Sequence, residues 1–299
     1  MSKPEALDRS GLGAALICYL LWGVFPLLFH AMAVAGANPW EIVGWRTVFS
    51  VPVALALVAV TGRLIGLSEL VTQPRVLMLL SLSAVLIASN WLVYVWAVNS
   101  GQTLSASLGY YINPLLNAAV GAVLFREKIS RSGYIAFALA AVGVGIQALS
   151  AGANPWIPLV LAASFSTYGV VRRQVNADAQ TGLLAECLIL IPIAVGGLFW
   201  LTGHGGLRFG QGWSVSLLLM VAGPATVAPL ALFAYAARRL PFNVVGFTQF
   251  VTPTLQFGCG LLLGEHLTPI RLLSFAFIWA GAGVFAVDLA MRLKRQTGA

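Results

Sequence analysis

Polar side chains recur at helical spacing in two places of an otherwise apolar sequence. The first set follows the spacing i, i+3, i+7, which puts it on one face of an α-helix; its members are Tyr110, Asn113 and Asn117. The pattern returns at an offset of 139 residues as Gln249, Thr252 and Gln256. Such groups either bind a polar organic molecule in a cavity or hydrogen-bond one helix to another. The recurrence favours a cavity, and the packing interpretation stays open.

Three further residues combine polar groups with aromatic rings. Asn90 and Tyr94 are four residues apart, so they share a helix face, and Tyr168 lies in a second apolar run. A tyrosine presents an apolar wall with a polar tip, which suits an amphipathic organic molecule. We therefore add these three residues to the predicted substrate-binding set.

Charged residues inside apolar runs are candidates for coupling or gating. Glu41 lies in the first turns of its run, where the positive end of a helix dipole favours an acid, so a structural role is the stronger interpretation. Glu186 lies about a turn deeper, and it either exchanges protons or acts as a gate, or is a structural acid near a helix end; we expect it to contribute to coupling or gating. Arg46 is five residues from Glu41, on another helix face, and either attracts a substrate carboxylate or binds a neighbouring helix.

The composition shows which solvent surrounds these residues. Of the 299 residues, 59% are hydrophobic and 9% are charged, and the mean hydropathy is +0.90. A soluble domain carries about 25% charged residues, so this chain is expected to be a membrane domain throughout, embedded in a lipid bilayer. The net charge of +8 is distributed in short clusters between apolar runs, which argues against a nucleic-acid partner. No metal or cofactor motif accompanies the three cysteines.

The apolar runs predict ten transmembrane helices, each of about 20 residues. A cytoplasmic N-terminus places fourteen of the seventeen Lys and Arg residues on the inner side, so both termini are expected to be cytoplasmic. The predicted spans are 11–35, 41–60, 75–98, 104–125, 131–149, 155–171, 182–202, 213–235, 243–263 and 269–291.

The two halves of the sequence repeat each other. Trp22-Gly23 corresponds to Tyr168-Gly169 and Glu41 to Glu186, while later positions match at the offset of 139 residues, as in Pro114 and Pro253. Residues 1–150 and 151–299 are thus predicted to be two five-helix repeats. Because five is odd, the second repeat enters the membrane from the opposite side, and inverted repeats are typical of secondary transporters.

One motif resembles a known family. The stretch from Asn90 to Asn99, followed by Ser107 to Leu115, is similar to the RarD branch of the EamA transporters in the drug/metabolite transporter superfamily. The resemblance covers essentially the whole chain. It implies an all-α, ten-helix, multi-pass permease of the bacterial inner membrane, with exporters of amino acids, metabolites or drugs among its relatives.

Other functional classes are less well supported. An enzyme would need a nucleophile with its base or a metal cluster, and the HExxH and GxSxG patterns are both absent from the sequence. An uncoupled facilitator or lipid flippase of the same architecture is the main alternative to a coupled exporter. We expect a small-molecule substrate, protons as the candidate coupling ion, no cofactor, and a monomer or weak dimer.

Overall fold

The computed structural model describes residues 8–63, 72–124, 131–149, 155–175, 179–237, 239–240 and 248–297. All regular structure in these ranges is α-helical, which confirms the all-α prediction. The helices are α1 (Arg9–Gly23), α2 (Phe25–Val34), α3 (Pro39–Val60), α4 (Pro74–Asn99), α5 (Thr103–Leu124), α6 (Arg131–Leu149), α7 (Trp156–Gln174), α8 (Ala179–Gly203), α9 (Trp213–Ala237), α10 (Val251–Leu262) and α11 (Pro269–Thr297).

Helix ends follow local sequence signals. α3 begins with Pro39 after the cap residue Asn38, whose side-chain oxygen accepts a hydrogen bond from the N–H of Glu41 at 3.0 Å. Gly36 and Gly264, just beyond the ends of α2 and α10, have φ of 93° and 86°, which L side chains rarely adopt. The start of α2 carries Pro26, which lacks the N–H that would continue the hydrogen bonds of α1.

Within the described residues, six segments are long and apolar enough to cross a membrane. The protein is therefore a multi-pass membrane protein. The count of ten spans, the inversion of the repeats and the cytoplasmic termini stay predictions. α10 begins at Val251 after a turn at residues 249–250, and Thr248 before that turn is helical; the predicted start of this span at 243 lies outside the described residues. The six segments are Arg9–Val34, Pro39–Val60, Pro74–Asn99, Gln180–Gly203, Trp213–Ala236 and Pro269–Asp288.

The helices pack into two compact units, and each combines segments from both halves of the sequence. Unit 1 consists of Met1–Gly23, Gly101–Ser166 and Tyr235–Ala299; unit 2 consists of Val24–Ser100 and Thr167–Ala234. The predicted repeats 1–150 and 151–299 stay a prediction about sequence, and they are not the packing units.

In unit 1, α6 packs along α11 and α5 along α10, with α1 against α10. Glycine allows the closest approach, since a Cβ at Gly143 would stand 2.6 Å from Ile278 Cγ1. Beside this point the Ser274 hydroxyl donates to the Gly143 carbonyl at 2.7 Å.

In unit 2, α3 packs along α8, and α4 contacts both of them. The pairs α3–α8, α5–α10 and α6–α11 join helices that the sequence repeat equates.

Candidate substrate and coupling sites

Glu186 is buried in α8 of unit 2, with 1% of its surface exposed, and its carboxylate meets three other side chains. The Ser83 hydroxyl of α4 donates to Oε1 at 2.6 Å, and the Tyr168 hydroxyl of α7 donates to Oε2 at 3.3 Å. The Arg172 Nε lies 3.6 Å from Oε1. A buried carboxylate with a cationic partner and two hydroxyl donors satisfies the conditions for burying a charge. These contacts tie three helices together at one acid.

Gly182 makes room for the cation of this cluster. It lies one helical turn before Glu186, and a Cβ there would stand 2.5 Å from Arg172 Cζ and closer still to both terminal guanidinium nitrogens. Normal contact between nonbonded carbon atoms is about 3.5 to 4 Å. A side chain at residue 182 would displace the Arg172 guanidinium from its present position, so Gly182 leaves the space that it occupies beside Glu186.

Glu41 is also fully buried, but its partners are backbone groups. Its Oε1 accepts hydrogen bonds from the N–H groups of Arg208 and Phe209, both at 2.8 Å. Nearby, the Asn38 amide donates to the Gly206 carbonyl at 2.9 Å. Glu41 thus fastens the loop after α8 to the first turn of α3, a geometry that suits the structural interpretation.

Arg46 is a buried cation of unit 2, with 5% exposure. Its Nε donates to the Thr226 hydroxyl at 2.7 Å, and its Cζ lies 4.1 Å from the centroid of the Trp91 ring. Phe29 and Phe25 add ring centroids at 5.6 Å and 5.8 Å. Aromatic faces attract a guanidinium through their quadrupole, so the three rings contribute to holding this side chain alongside the Thr226 hydroxyl.

The polar stripe of α10 in unit 1 bonds to α1. The Thr252 hydroxyl donates to the Tyr19 carbonyl at 3.0 Å, and the Gln256 amide donates to the Trp22 carbonyl at 3.2 Å. These are hydrogen bonds between helices, as the packing interpretation expects. Two members of the predicted set thus donate hydrogen bonds to backbone carbonyls of α1, and their role in substrate binding stays a prediction.

The matching polar stripe of α5 differs in its hydrogen bonding. Asn113 is fully buried, yet neither amide atom has a hydrogen-bond partner in the part of the chain that the structure describes. Tyr110 is half-buried, with its ring edge-on to Phe165 at 6.3 Å. The side chain of Asn117 lies outside the described residues. A buried amide without partners is costly, which makes Asn113 the member of the stripes most in need of a ligand or water.

Glu265 lies outside the membrane-spanning segments, and it connects the loop after α10 to the start of α5 in unit 1. Its carboxylate accepts hydrogen bonds from the backbone N–H groups of Thr103 and Leu104, at the start of α5. The acid thereby caps a helix that is distant in sequence. Burial raises the pKa of Glu265, although these hydrogen bonds and the nearby Arg271 act in the opposite direction.

Comparison with known proteins decides the family. The EamA-like transporter family matches residues 9–148. RarD of Salmonella typhi is 39% identical over 96% of this chain and 98% of its own, and RarD of Escherichia coli K12 is 38% identical over 97% of each. An uncharacterized transporter of Vibrio cholerae is 38% identical over 95% of each chain.

This chain belongs to the RarD branch of the EamA-like transporters. It is thus a membrane transporter of the drug/metabolite transporter type, as the sequence motif predicted. A protein of known crystal structure, only 16% identical, shares the fold with a TM-score of 0.60 over 92% of this chain and 97% of that one.

For this RarD-branch transporter, the predicted site residues fall in both packing units. Asn90 and Tyr94 are buried in α4, and the Tyr94 ring lies edge-on to Phe29 at 6.0 Å. The hydroxyl of Tyr168, another predicted substrate residue, donates to Glu186. Gln249 is half-buried in the turn before α10. That these residues line one cavity stays a prediction, as do the roles of all of them.

The sequence reasoning missed three partners. Arg172 was counted only as an inner-side positive charge, although its spacing of four residues from Tyr168 puts both on one face of α7. Ser83 and Thr226 gave no signal, since a small hydroxyl residue in an apolar helix is indistinguishable by sequence from a packing residue. Within the described residues, no group of three or more His, Cys, Asp and Glu residues could hold a metal ion.

Proposed function

We propose that this protein is a secondary transporter of the bacterial inner membrane that exports small organic molecules by alternating access, with protons as the coupling ion. It catalyses no chemical reaction in this proposal. The observation that carries it is the buried Glu186 with its partners Ser83, Tyr168 and Arg172. An intramembrane acid at the junction of several helices is the kind of group through which ion binding changes helix packing.

Coupling would act through the ion pair. When Glu186 is ionised, it holds Arg172 and thereby keeps α7 against α8; when it binds a proton, the charge attraction is removed and the two helices can separate. Glu41 does not fit this role equally well, because its Oε1 binds two backbone N–H groups of one loop and no cationic side chain is paired with it among the described residues.

The test uses purified protein in liposomes that contain a pH-sensitive dye, to which L-amino acids and small drugs are added one at a time. A transported compound should move protons across the membrane in the wild type. Glu186→Gln keeps the shape and removes the titration, so transport should become independent of an imposed pH gradient. Glu41→Gln is the matched control and should preserve that dependence with modestly reduced stability.

The alternative is an uncoupled facilitator or lipid flippase. Transport by the wild type that ignores the pH gradient would support it, as would a Glu186→Gln variant with unchanged rate and unchanged pH dependence. Either result rejects proton coupling through Glu186.

A further inference from the structure

An open cavity lies at one end of unit 1, where α10 ends and α11 begins. Its volume is about 420 Å³, and the turn that leads into α5 contributes Gly101 to its wall. The polar side chains that line it are those of Glu265, His266, Thr268 and Arg271. The proposed coupling cluster around Glu186 belongs to unit 2, so this cavity has no part in that mechanism.

Arg271 is unusual among the basic residues of the chain. Of the seventeen Lys and Arg residues, only Arg208 and Arg271 fall on the predicted outer side. Arg271 also lies in the first turn of α11, which begins at Pro269. The positive end of a helix dipole disfavours a cation there, so an anion beside Arg271 would explain its position.

Glu265 does not fill that place. Its charge is close enough to interact with Arg271, but its two oxygens accept hydrogen bonds from the backbone N–H groups of Thr103 and Leu104. Within the described residues, the Arg271 guanidinium makes one hydrogen bond, from Nη1 to the His266 carbonyl at 3.3 Å. A guanidinium carries five N–H donors, so most of them remain available to a ligand in the cavity.

The walls of the cavity are fixed by local structure. The Thr268 Oγ1 accepts a hydrogen bond from the N–H of Arg271 at 3.2 Å and thereby caps α11. Gly264, with φ of 86°, turns the chain away from the end of α10. A Cβ at Gly264 or at Gly101 would meet no atom within 4 Å. The space between these walls is therefore present without a ligand.

The cavity lies at the boundary of a membrane-spanning segment. Arg271 is the third residue of the segment Pro269–Asp288, so it is within about 5 Å of the end of that span. Large apolar side chains beside it are exposed, with 79% of Leu262 and 50% of Ile270 accessible. An arginine in such a place has acyl chains on one side and lipid head groups on the other.

The chemistry of the lining favours a phosphate. The fork of a guanidinium matches two phosphate oxygens, and such paired hydrogen bonds are charge-assisted. The positive ends of α5 and α11 adjoin the cavity through Gly101 and Thr268 and add to the attraction for an anion. The exposed side chains of Leu262 and Ile270 offer an apolar surface to acyl chains.

We propose that this cavity is a binding site for the head group of an anionic phospholipid, whose phosphate is held by Arg271. His266, which is exposed at the cavity, lies beside the bound head group. A lipid bound there connects the start of α11 to the turn before α5 and is distinct from any transported substrate.

The experiment is mass spectrometry of the intact full-length protein, released from detergent micelles after titration with one lipid at a time. The probes are palmitoyl-oleoyl phosphatidylglycerol, phosphatidylcholine with the same acyl chains, and the matching diacylglycerol, which has no phosphate. We expect one phosphatidylglycerol to bind saturably and about tenfold or more tightly than phosphatidylcholine, while diacylglycerol is not retained. Inorganic phosphate, added as a competitor at the same concentration, should leave the lipid bound.

Arg271→Gln should weaken phosphatidylglycerol binding about tenfold or more, because it removes the charge and the fork. Arg208→Gln is the matched control, since Arg208 is the other predicted outer-side arginine, is exposed and belongs to unit 2; it should bind as the wild type does. Should Arg271→Gln fail to fold, His266→Glu decides, because it places a negative charge at the cavity without replacing the arginine and should also weaken binding.

Four results would overturn the proposal. Phosphatidylglycerol is retained no better than phosphatidylcholine, or its affinity is unchanged in Arg271→Gln or in His266→Glu. Arg208→Gln loses as much affinity as Arg271→Gln, which would indicate attraction to charge in general. Inorganic phosphate displaces the lipid at equal concentration, which would assign the site to free phosphate. The assay measures no transport, so its outcome is separate from that of the liposome experiment.

Discussion

Replacing Gly182 by alanine should weaken the Arg172–Glu186 ion pair without replacing either charged residue. The new methyl group would stand 2.5 Å from Arg172 Cζ, about 1 Å inside normal contact distance. We expect the guanidinium to move away from α8 by about 1 Å, which would lengthen the 3.6 Å separation of Arg172 Nε from Glu186 Oε1. With an effective dielectric constant of about 20, the loss of attraction is about 1 kcal/mol.

The assay is the free energy of unfolding, measured by titrating purified protein in mild detergent with SDS. Gly197→Ala is the control, because it lies in the same helix and its Cβ would meet nothing within 4 Å. Both substitutions gain the same helix propensity, about 0.5 to 1 kcal/mol. We expect Gly182→Ala to be about 1 kcal/mol less stable than Gly197→Ala.

A double-mutant cycle identifies the cause. In an Arg172→Gln background the ion pair is already lost, so Gly182→Ala and Gly197→Ala should then have equal effects. Equal stability of the two alanine variants in the wild-type background would refute the reasoning. So would a difference that persists after Arg172 is replaced, because the methyl group would then disturb packing rather than charge.

Three further predictions concern other residues. Asn113→Leu removes a buried amide without described partners, so the isolated protein should be stabilised by about 1 to 3 kcal/mol while transport falls. Thr252→Val should instead lose about 0.6 kcal/mol of stability. SDS unfolding measures the stability of both variants, and transport in liposomes measures their activity. Burial raises the pKa of Glu265 in the folded protein, so binding of a proton to this acid stabilises the fold. That contribution is complete below about pH 4.5 and is lost as the pH rises through the pKa of the folded state. The unfolding free energy of Glu265→Gln should lack this pH dependence. A reporter fused after Ala299 should be active in the cytoplasm, and periplasmic activity would reject the ten-span topology.

The sequence predicted the helices well because span length and hydropathy are local properties. It also identified Glu186 as the deeper acid, since depth within an apolar run can be counted along the chain. Its partners could not be predicted, because Ser83 is 103 positions away and becomes a neighbour only through the packing of α4 on α8. The loop bonds of Glu41 are equally non-local, as Arg208 and Phe209 are 167 and 168 positions away.

The polar stripes show the same limit. Helical spacing put Asn113 and Asn117 on one face and Thr252 and Gln256 on another, which helix geometry requires. Spacing could not tell that the Thr252 hydroxyl and the Gln256 amide nitrogen would find partners while the Gln256 side-chain oxygen and the Asn113 amide have none among the described residues. That depended on α1, whose backbone carbonyls lie against α10 and accept the hydrogen bonds of Thr252 and Gln256.

The interleaved units have a consequence for biosynthesis. The carbonyl of Tyr19 accepts its hydrogen bond from the Thr252 hydroxyl, 233 residues later in the chain. The carbonyl of Trp22 accepts from the Gln256 amide, 234 residues later. Unit 1 needs Tyr235–Ala299, so it can close only when the last helices have left the ribosome. The early helices must therefore persist in lipid as separate insertions, sustained by their own apolar length and internal hydrogen bonds. Truncation near the C-terminus would leave α1, α5 and α6 without the helices that they pack against, and so exposed to quality-control proteases.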